Sequence, residues 1–362
     1  LERGADWAEL ADLGVLGALF TEDEGGFGGD GFDLAVVFEE LGRAGCVLPV
    51  LEAGLAGGLL ADCGKTDLVE QIISGALRAT LAYAEPGLRY DLGPISTTAT
   101  NGTVSGRKSV VGGAEGAGLL IVSALHDGAV TLFSVDPRGP GITLMTTPAL
   151  NGGTVSEVTL DAAPATLLGN ADTLEARLAA ATLAVCADAL GAMETAKVMT
   201  LDYLRTRTQF GVPIGKFQAL QHRMADVAID MEMARSAVIN LAANLAADPR
   251  LRDRNVSAAK SLVGRVAHLV AEEAIQMHGG IAMTEEYALA PISRRLIAFA
   301  SALVGFIKGG LSMVNIGTSL FFAEISGSAV ADVAALGSIL IPSMKRRGYP
   351  KEFAAAVTSS SA

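Results

Sequence analysis

Apolar positions recur at helical spacing in two stretches of the chain, and the stretch between them is patterned differently. Residues 5 to about 80 read as helical. Trp7–Leu13 is amphipathic and ends near Gly14, and Leu34, Val37, Phe38 and Leu41 line one face of a helix over about Asp33–Arg43. Between these lies the glycine-rich, acidic run 22–32, which reads as a loop. Ala/Leu-rich helical segments continue to about Leu77. From near Ala79 to about Leu167 the chain turns to Thr, Val, Ile, Gly and Pro. Short β-prone runs at 118–123 and 130–135 are separated by turn signals such as Asp127-Gly128 and the run 137–140. Helix returns near Asp172 in three long stretches, about 172–208, 216–247 and 254–278. In the second, Leu220, Met224, Val227, Met231, Ala234 and Val238 trace one apolar stripe, and Asp248-Pro249 is expected to break the chain before the third.

This order predicts a multi-part α+β fold: an N-terminal helical domain (1–78), a central β-barrel or sandwich domain (79–168), a C-terminal antiparallel helix bundle (169–290) and a small-residue tail (291–362). Half of the residues are hydrophobic and only 5% aromatic, which suits helices packed closely through small residues. The net charge of −12 disfavours nucleic acid as a partner. Cys46, Cys63 and Cys186 lack metal or redox spacing and read as reduced, buried small hydrophobes. His126, His222, His268 and His278 are too dispersed to suggest a metal site. No secretory leader is expected, because Leu1 enters directly into a charged helical pattern; the expected location is the cytoplasm, with the tail as a route to a membrane.

The strongest chemical signal is RTRTQFGVPIGKFQALQ over 205–221. A helix ends there in a pair of arginines, whose planar forks suit a phosphate or pyrophosphate, and Phe210, Gln209 and Gln218 could order a flat polar ligand. A plainer reading is a basic helix end that offsets the helix dipole, with Phe210 and Phe217 in the core. The spelling adds to this. The segment resembles the RxQFGxPIxxFQxxQ signature of the acyl-CoA dehydrogenase family, and QMHGGIAMTEEY over 276–287 is similar to that family's QxHGGxGxTxEY turn. WAELADLGVLG (7–17), EGG (24–26) and FEELGR (38–43) agree, so the resemblance covers roughly residues 5–290.

The resemblance implies a flavoprotein that introduces an α,β double bond into an acyl-CoA and passes electrons to an electron-transfer flavoprotein. It also implies an FAD site shared between subunits of a homo- or hetero-oligomer. By it, Arg207 contacts the pyrophosphate of a neighbouring subunit's FAD, Phe210 lies against the adenosine part, Gln218 faces the dinucleotide, and Gln276, Gly279 and Gly280 bring backbone close to it. Gln209 and Glu85 complete the expected cofactor-binding set. Two loops depart from the family. The TEPxxGSD-like loop reads AEPGLRYD over Ala84–Asp91, and the NGxKxxIT segment reads SGRKSVVGG over Ser105–Gly113, without its Trp/Thr flavin contact.

The catalytic base is harder to place. One family position for this carboxylate falls on Ala181, and a CoA-contacting arginine falls on Thr182; Glu175 and Arg177, nearby, read as exposed helix residues. The other base position lies where the resemblance ends, so no catalytic residue is assigned. Residues 303–342 are nearly uncharged and rich in small residues, and 345–349 read KRRGY. This run resembles the large membrane subunit of tripartite (TRAP) transporters, which implies broken membrane helices. The expectation is a chimera, a truncated dehydrogenase joined near 289–297 to a transporter fragment.

Overall fold

The computed structural model describes residues 6–87, 95–149, 152–284 and 287–304, with Glu352 and Ala356. Most of the transporter-like tail, and Leu88–Pro94 of the first departing loop, lie outside the described residues.

Four short helices open the fold: α1 (Trp7–Asp12), α2 (Gly31–Ala44), α3 (Val50–Asp62) and α4 (Thr66–Ile73). Asp30 starts α2 two residues before the expected position. Its carboxylate accepts from the Phe32 and Asp33 N–H groups, while Asp33 bonds back to the Asp30 N–H. Gly45, left-handed at φ 69°, ends the helix. The expected loop at 22–32 contains a 3-10 turn at Glu22–Glu24.

The β region begins at Ala79, where the change in texture placed it. Its strands are β1 (Ala79–Ala82), β2 (Thr98–Thr100), β3 (Thr103–Gly112), β4 (Leu119–His126), β5 (Ala129–Val135), β6 (Ile142–Pro148), β7 (Thr154–Pro164) and β8 (Thr166–Asn170). They form one sheet in the order β6-β7-β3-β2-β4-β5-β8, with β1 parallel to β4. Asp127 (φ 50°) and Gly128 (φ 84°) make the tight β4–β5 hairpin that their sequence signals. β3 carries a bulge against β7: the pairing steps from Lys108–Val158 to Val111–Ser156, three residues against two. Val110 sits in this bulge at φ 55°, a conformation rare for a β-branched residue, and is 73% exposed.

Three long helices follow: α5 (Leu174–Thr206), α6 (Gln218–Ala243) and α7 (Pro249–His278). The apolar stripe of α6 is buried from Met224 to Val238, with Leu220 half-buried. Pro249 does not break the chain ahead of a later helix; it opens α7 at the first helical position. Asp248 caps that end by accepting from the Arg250 and Leu251 N–H groups. Helix α8 (Leu289–Val304) closes the described bundle.

The N-terminal helices and the later bundle share one hydrophobic core, running from Trp7 and Leu10 through Leu183 and Leu190 to Leu296. The sheet keeps a second core around Val104, Leu120, Val122 and Val158. Where α2 crosses α5 the backbones nearly touch. A Cβ on Gly42 would overlap the Asp188 carbonyl oxygen, and one on Gly191 would overlap that of Glu39. Two expectations fail here. Cys46 and Cys63 are only half-buried, although all three thiols are free. Arg177 is not an exposed helix residue: its guanidinium reaches Asp62 at 2.7 and 2.8 Å and Glu24 at 2.7 Å, tying α5 to α3 and to the 3-10 turn. Those partners lie 115 and 153 residues away, beyond any helical pattern.

Candidate functional site

The first arginine-rich motif folds as a finger. Arg207 caps α5, its N–H donating to the Tyr203 carbonyl at 2.8 Å. Strands β9 (Thr208–Gln209) and β10 (Val212–Pro213) then pair around Phe210 (φ 53°) and Gly211 (φ 80°). Both turn residues are left-handed, which suits glycine and strains a phenylalanine. Phe210 is 90% exposed and meets the ring of Phe217 edge-on at 6.2 Å. With Phe217 itself 39% exposed, the plainer reading of these rings as core is excluded. Arg207, Gln209 and Gln218 are exposed on the same finger and the helix start beyond it. Among the described residues the Arg207 guanidinium has no ion-pair partner.

The second motif ends α7. Gln276 is half-buried in the last turn, and Gly279 (φ 66°, ψ −148°) takes a conformation open to glycine. A Cβ on Gly279 or Gly280 would point into empty space, so the backbone here can be approached closely by a ligand. The two motifs, some 70 residues apart, meet at their bases. The His278 ring stacks on Tyr203 at 4.5 Å and tilts against Tyr287 at 5.3 Å. Its Nδ1–H donates to the Ala274 carbonyl at 2.8 Å, and burial pushes its pKa below the ordinary imidazole value, which keeps it neutral. Leu204, Met224 and Met277 pack beneath. Tyr203 and His278 went unnoticed as positioning residues, although His278 stands inside its motif.

Glu85 belongs to a different cluster, inside the sheet domain. Its carboxylate accepts from Lys108 Nζ at 2.8 Å, from the Ser96 N–H and hydroxyl, and from the Thr97 N–H. Lys108 is fully buried and also bonds the Ser123 hydroxyl. Burial alone would raise the Glu85 carboxyl, but the Lys108 ammonium and the Ser96 and Thr97 donors hold it at about 2. These bonds tie Glu85 to strand β3 and to the chain near Ser96. Ala181 and Thr182 lie half-buried on α5, the Thr182 hydroxyl donating to the Leu178 carbonyl at 2.9 Å, and Glu175 is exposed.

One carboxylate that the sequence did not single out stands at the β3 bulge. Glu52, half-buried on α3, places Oε1 within 2.2 Å of where a Cβ on Gly112 would fall. Burial pushes its pKa above the usual carboxylate value, and no cation among the described residues offsets this.

Comparison with known proteins agrees with this layout of helices, sheet and helices. The acyl-CoA dehydrogenase N-terminal domain matches residues 2–79, and the acyl-CoA dehydrogenase C-terminal domain matches residues 171–301. The acyl-CoA dehydrogenase IpdE2 of Mycobacterium tuberculosis is 31% identical over 293 residues, 79% of each chain. The ChsE4–ChsE5 complex from Mycobacterium tuberculosis superposes with a TM-score of 0.74 at 29% identity, covering 88% of this chain and 89% of that one. A variant of the Tcur3481–Tcur3483 steroid ACAD gives 0.73 at 31% identity, covering 89% of both chains. The chain belongs to the acyl-CoA dehydrogenase family. Its C-terminal residues 287–362 match the DctM component of tripartite ATP-independent periplasmic transporters, so residues 287–301 answer to both descriptions.

Proposed function

We propose that this chain is an FAD-binding acyl-CoA dehydrogenase subunit, which takes part in α,β-dehydrogenation of an acyl-CoA and delivers electrons to an electron-transfer flavoprotein. Bound FAD would supply the two-electron acceptor. The observation that carries the reading is the exposed Arg207–Phe210 finger, seated on the same His278–Tyr203 stack as the open Gly279–Gly280 backbone. An unpaired guanidinium suits a pyrophosphate, an exposed strained aromatic suits a flat ring, and glycines clear room for both. Gln209, Gln218 and Gln276 supply polar edges to the same ligand, and the β3 bulge, braced by Glu85 and Lys108, receives the flavin ring. An exposed finger suits a ligand held by a neighbouring subunit. The outer face of α6 offers a contact surface, with Ile229, Met233 and Ile239 exposed. Cytoplasmic residence accords with three free thiols.

A second reading makes the chain a non-catalytic subunit that completes the FAD site of a partner. The half-buried Ala181, standing where a base carboxylate is expected, favours it. Purification decides between the two. A yellow protein bleached by an acyl-CoA under anaerobic conditions supports a working dehydrogenase. A yellow protein that does not bleach until a partner subunit is added supports the second reading, and a colourless protein refutes both. For the tail, the double match over 287–301 supports a fusion of two coding segments. An interruption of the reading frame at the source locus across this stretch would refute a native fusion.

A further inference from the structure

Two glycines end strand β3, and the space beside one of them is already occupied. Gly112 is held by the Thr80 hydroxyl, which donates to its carbonyl at 2.7 Å, and Gly113 turns the chain at φ 65° against Pro49. Gly112 is not in the left-handed region, so a side chain there would meet no backbone strain. What crowds the place is Glu52 from α3: a Cβ on Gly112 would lie 2.2 Å from its Oε1 and 3.0 Å from its Cδ.

No partner among the described residues explains this carboxyl. It is half-buried, it lacks a cationic partner among the described residues, and the hydrogen bond that favours its charged form comes from its own backbone N–H. Other carboxylates at seams between elements have an arginine or lysine: Glu85 has Lys108, Asp62 and Glu24 share Arg177, and Glu39 has Arg235 at 2.9 Å. A half-buried acid without a partner costs stability, and such groups cluster where a ligand uses them. Beside Glu52 the sheet is distorted, with Val110 strained and exposed. In the pattern NGxKxxIT laid along residues 105–112, Gly112 stands at the terminal threonine.

We propose that Glu52 supplies, from α3, the polar contact to the flavin ring that Gly112 cannot supply from β3. This rests on the FAD reading given above. The chain would thus have moved one functional group from strand to helix while keeping it within 2.2 Å of the strand position's Cβ. A carboxyl offers both a donor, when protonated, and an acceptor, so it can replace a hydroxyl toward a ring edge that carries both.

The test uses the purified full-length chain and four variants, Glu52→Ala, Glu52→Gln, Gly112→Thr and the double E52A/G112T. FAD affinity is measured by flavin fluorescence, together with the visible spectrum of the bound flavin. Glu52→Ala is expected to weaken FAD about tenfold and to shift the spectrum, the effect of one lost hydrogen bond. Glu52→Gln, which keeps a donor and an acceptor, stays within about threefold of the parent. The double variant regains most of the loss, because the threonine returns where the carboxyl was. In the FAD-free state Glu52→Ala melts no lower than the parent, since an unpartnered acid has been removed, whereas a merely structural Glu52 would lower the melting point. Wild-type affinity and spectrum in Glu52→Ala overturn the proposal, as does a double variant that stays as weak as the single one. A parent chain that binds no FAD overturns the flavoprotein reading itself.

Discussion

Lys108→Met removes an ammonium from the interior of the sheet domain while keeping most of the stem that fills its place. Lys108 is fully buried and Glu85 is 3% exposed, so water cannot replace the lost 2.8 Å contact. Removing one partner of a buried pair costs about 3–5 kcal/mol. The lower end applies, because the Glu85 carboxylate keeps its bonds from the Ser96 N–H and hydroxyl and from the Thr97 N–H. The expected loss is therefore about 3 kcal/mol at neutral pH. Its pH dependence follows from Glu85, whose pKa in the intact protein is about 2 against an ordinary 4.5. A group depressed in this way stabilises the fold fully above its ordinary value, and the contribution is lost as the pH falls through the folded value. In the variant the carboxyl loses its largest lowering partner and keeps those of Ser96 and Thr97, so its pKa rises from the wild-type value and the difference from wild type narrows on acidification. Urea unfolding of both proteins at neutral pH and at about pH 4 measures this. A loss under about 1 kcal/mol at neutral pH, or one that grows on acidification, refutes the reasoning. Adding Glu85→Gln to Lys108→Met should recover much of the loss, because the remaining group no longer carries a charge.

Gly191→Ala forces a methyl onto the Glu39 carbonyl and should cost about 3 kcal/mol by urea unfolding, since backbone cannot step aside as a side chain can; a loss under about 0.5 kcal/mol would show that the helices pack less closely. Phe210→Ala should leave stability within about 0.5 kcal/mol, because the ring is 90% exposed, yet weaken FAD retention measured by flavin absorbance; unchanged retention removes the finger from the site. Arg177→Met should release the Glu24 turn and leave Asp62 with Thr173 alone to oppose its burial, so Asp62 should titrate higher by NMR.

The periodicities conveyed element type and order well. An apolar stripe from Met224 to Val238 can be satisfied only by a helix, and Asp127-Gly128 carries its turn geometry with it. What escaped the reading depends on distance along the chain. Pro249 reads as a break in the sequence because its role depends on Asp248 folding back onto the next turn. Arg177 seemed an exposed helix residue because Glu24 and Asp62 approach it only in the folded chain. The finger was legible through its spelling, since Arg207, Phe210 and Gln218 are local to it. Its seat was not, because the stacking of Tyr203 on His278 joins two motifs across the bundle. Glu52 was invisible for the same reason: alone it is one acid on a short helix, and only the missing side chain at Gly112 gives it meaning.

Helix α8 lies wholly or partly within both family matches, and it is also a wall of the bundle. Leu289 and Leu296 are fully buried, and Arg295 pairs with Asp188 on α5. A bundle accepts a helix by where its apolar residues and its charge fall, not by the lineage of the segment that carries it. What this wall asks of the segment is therefore narrow: apolar residues at 289 and 296 and a cation at 295. A boundary drawn from likeness alone, at residue 287, would unseat the wall and leave Asp188 without its counter-charge. One drawn after Val304 keeps Leu289, Arg295 and Leu296 in place.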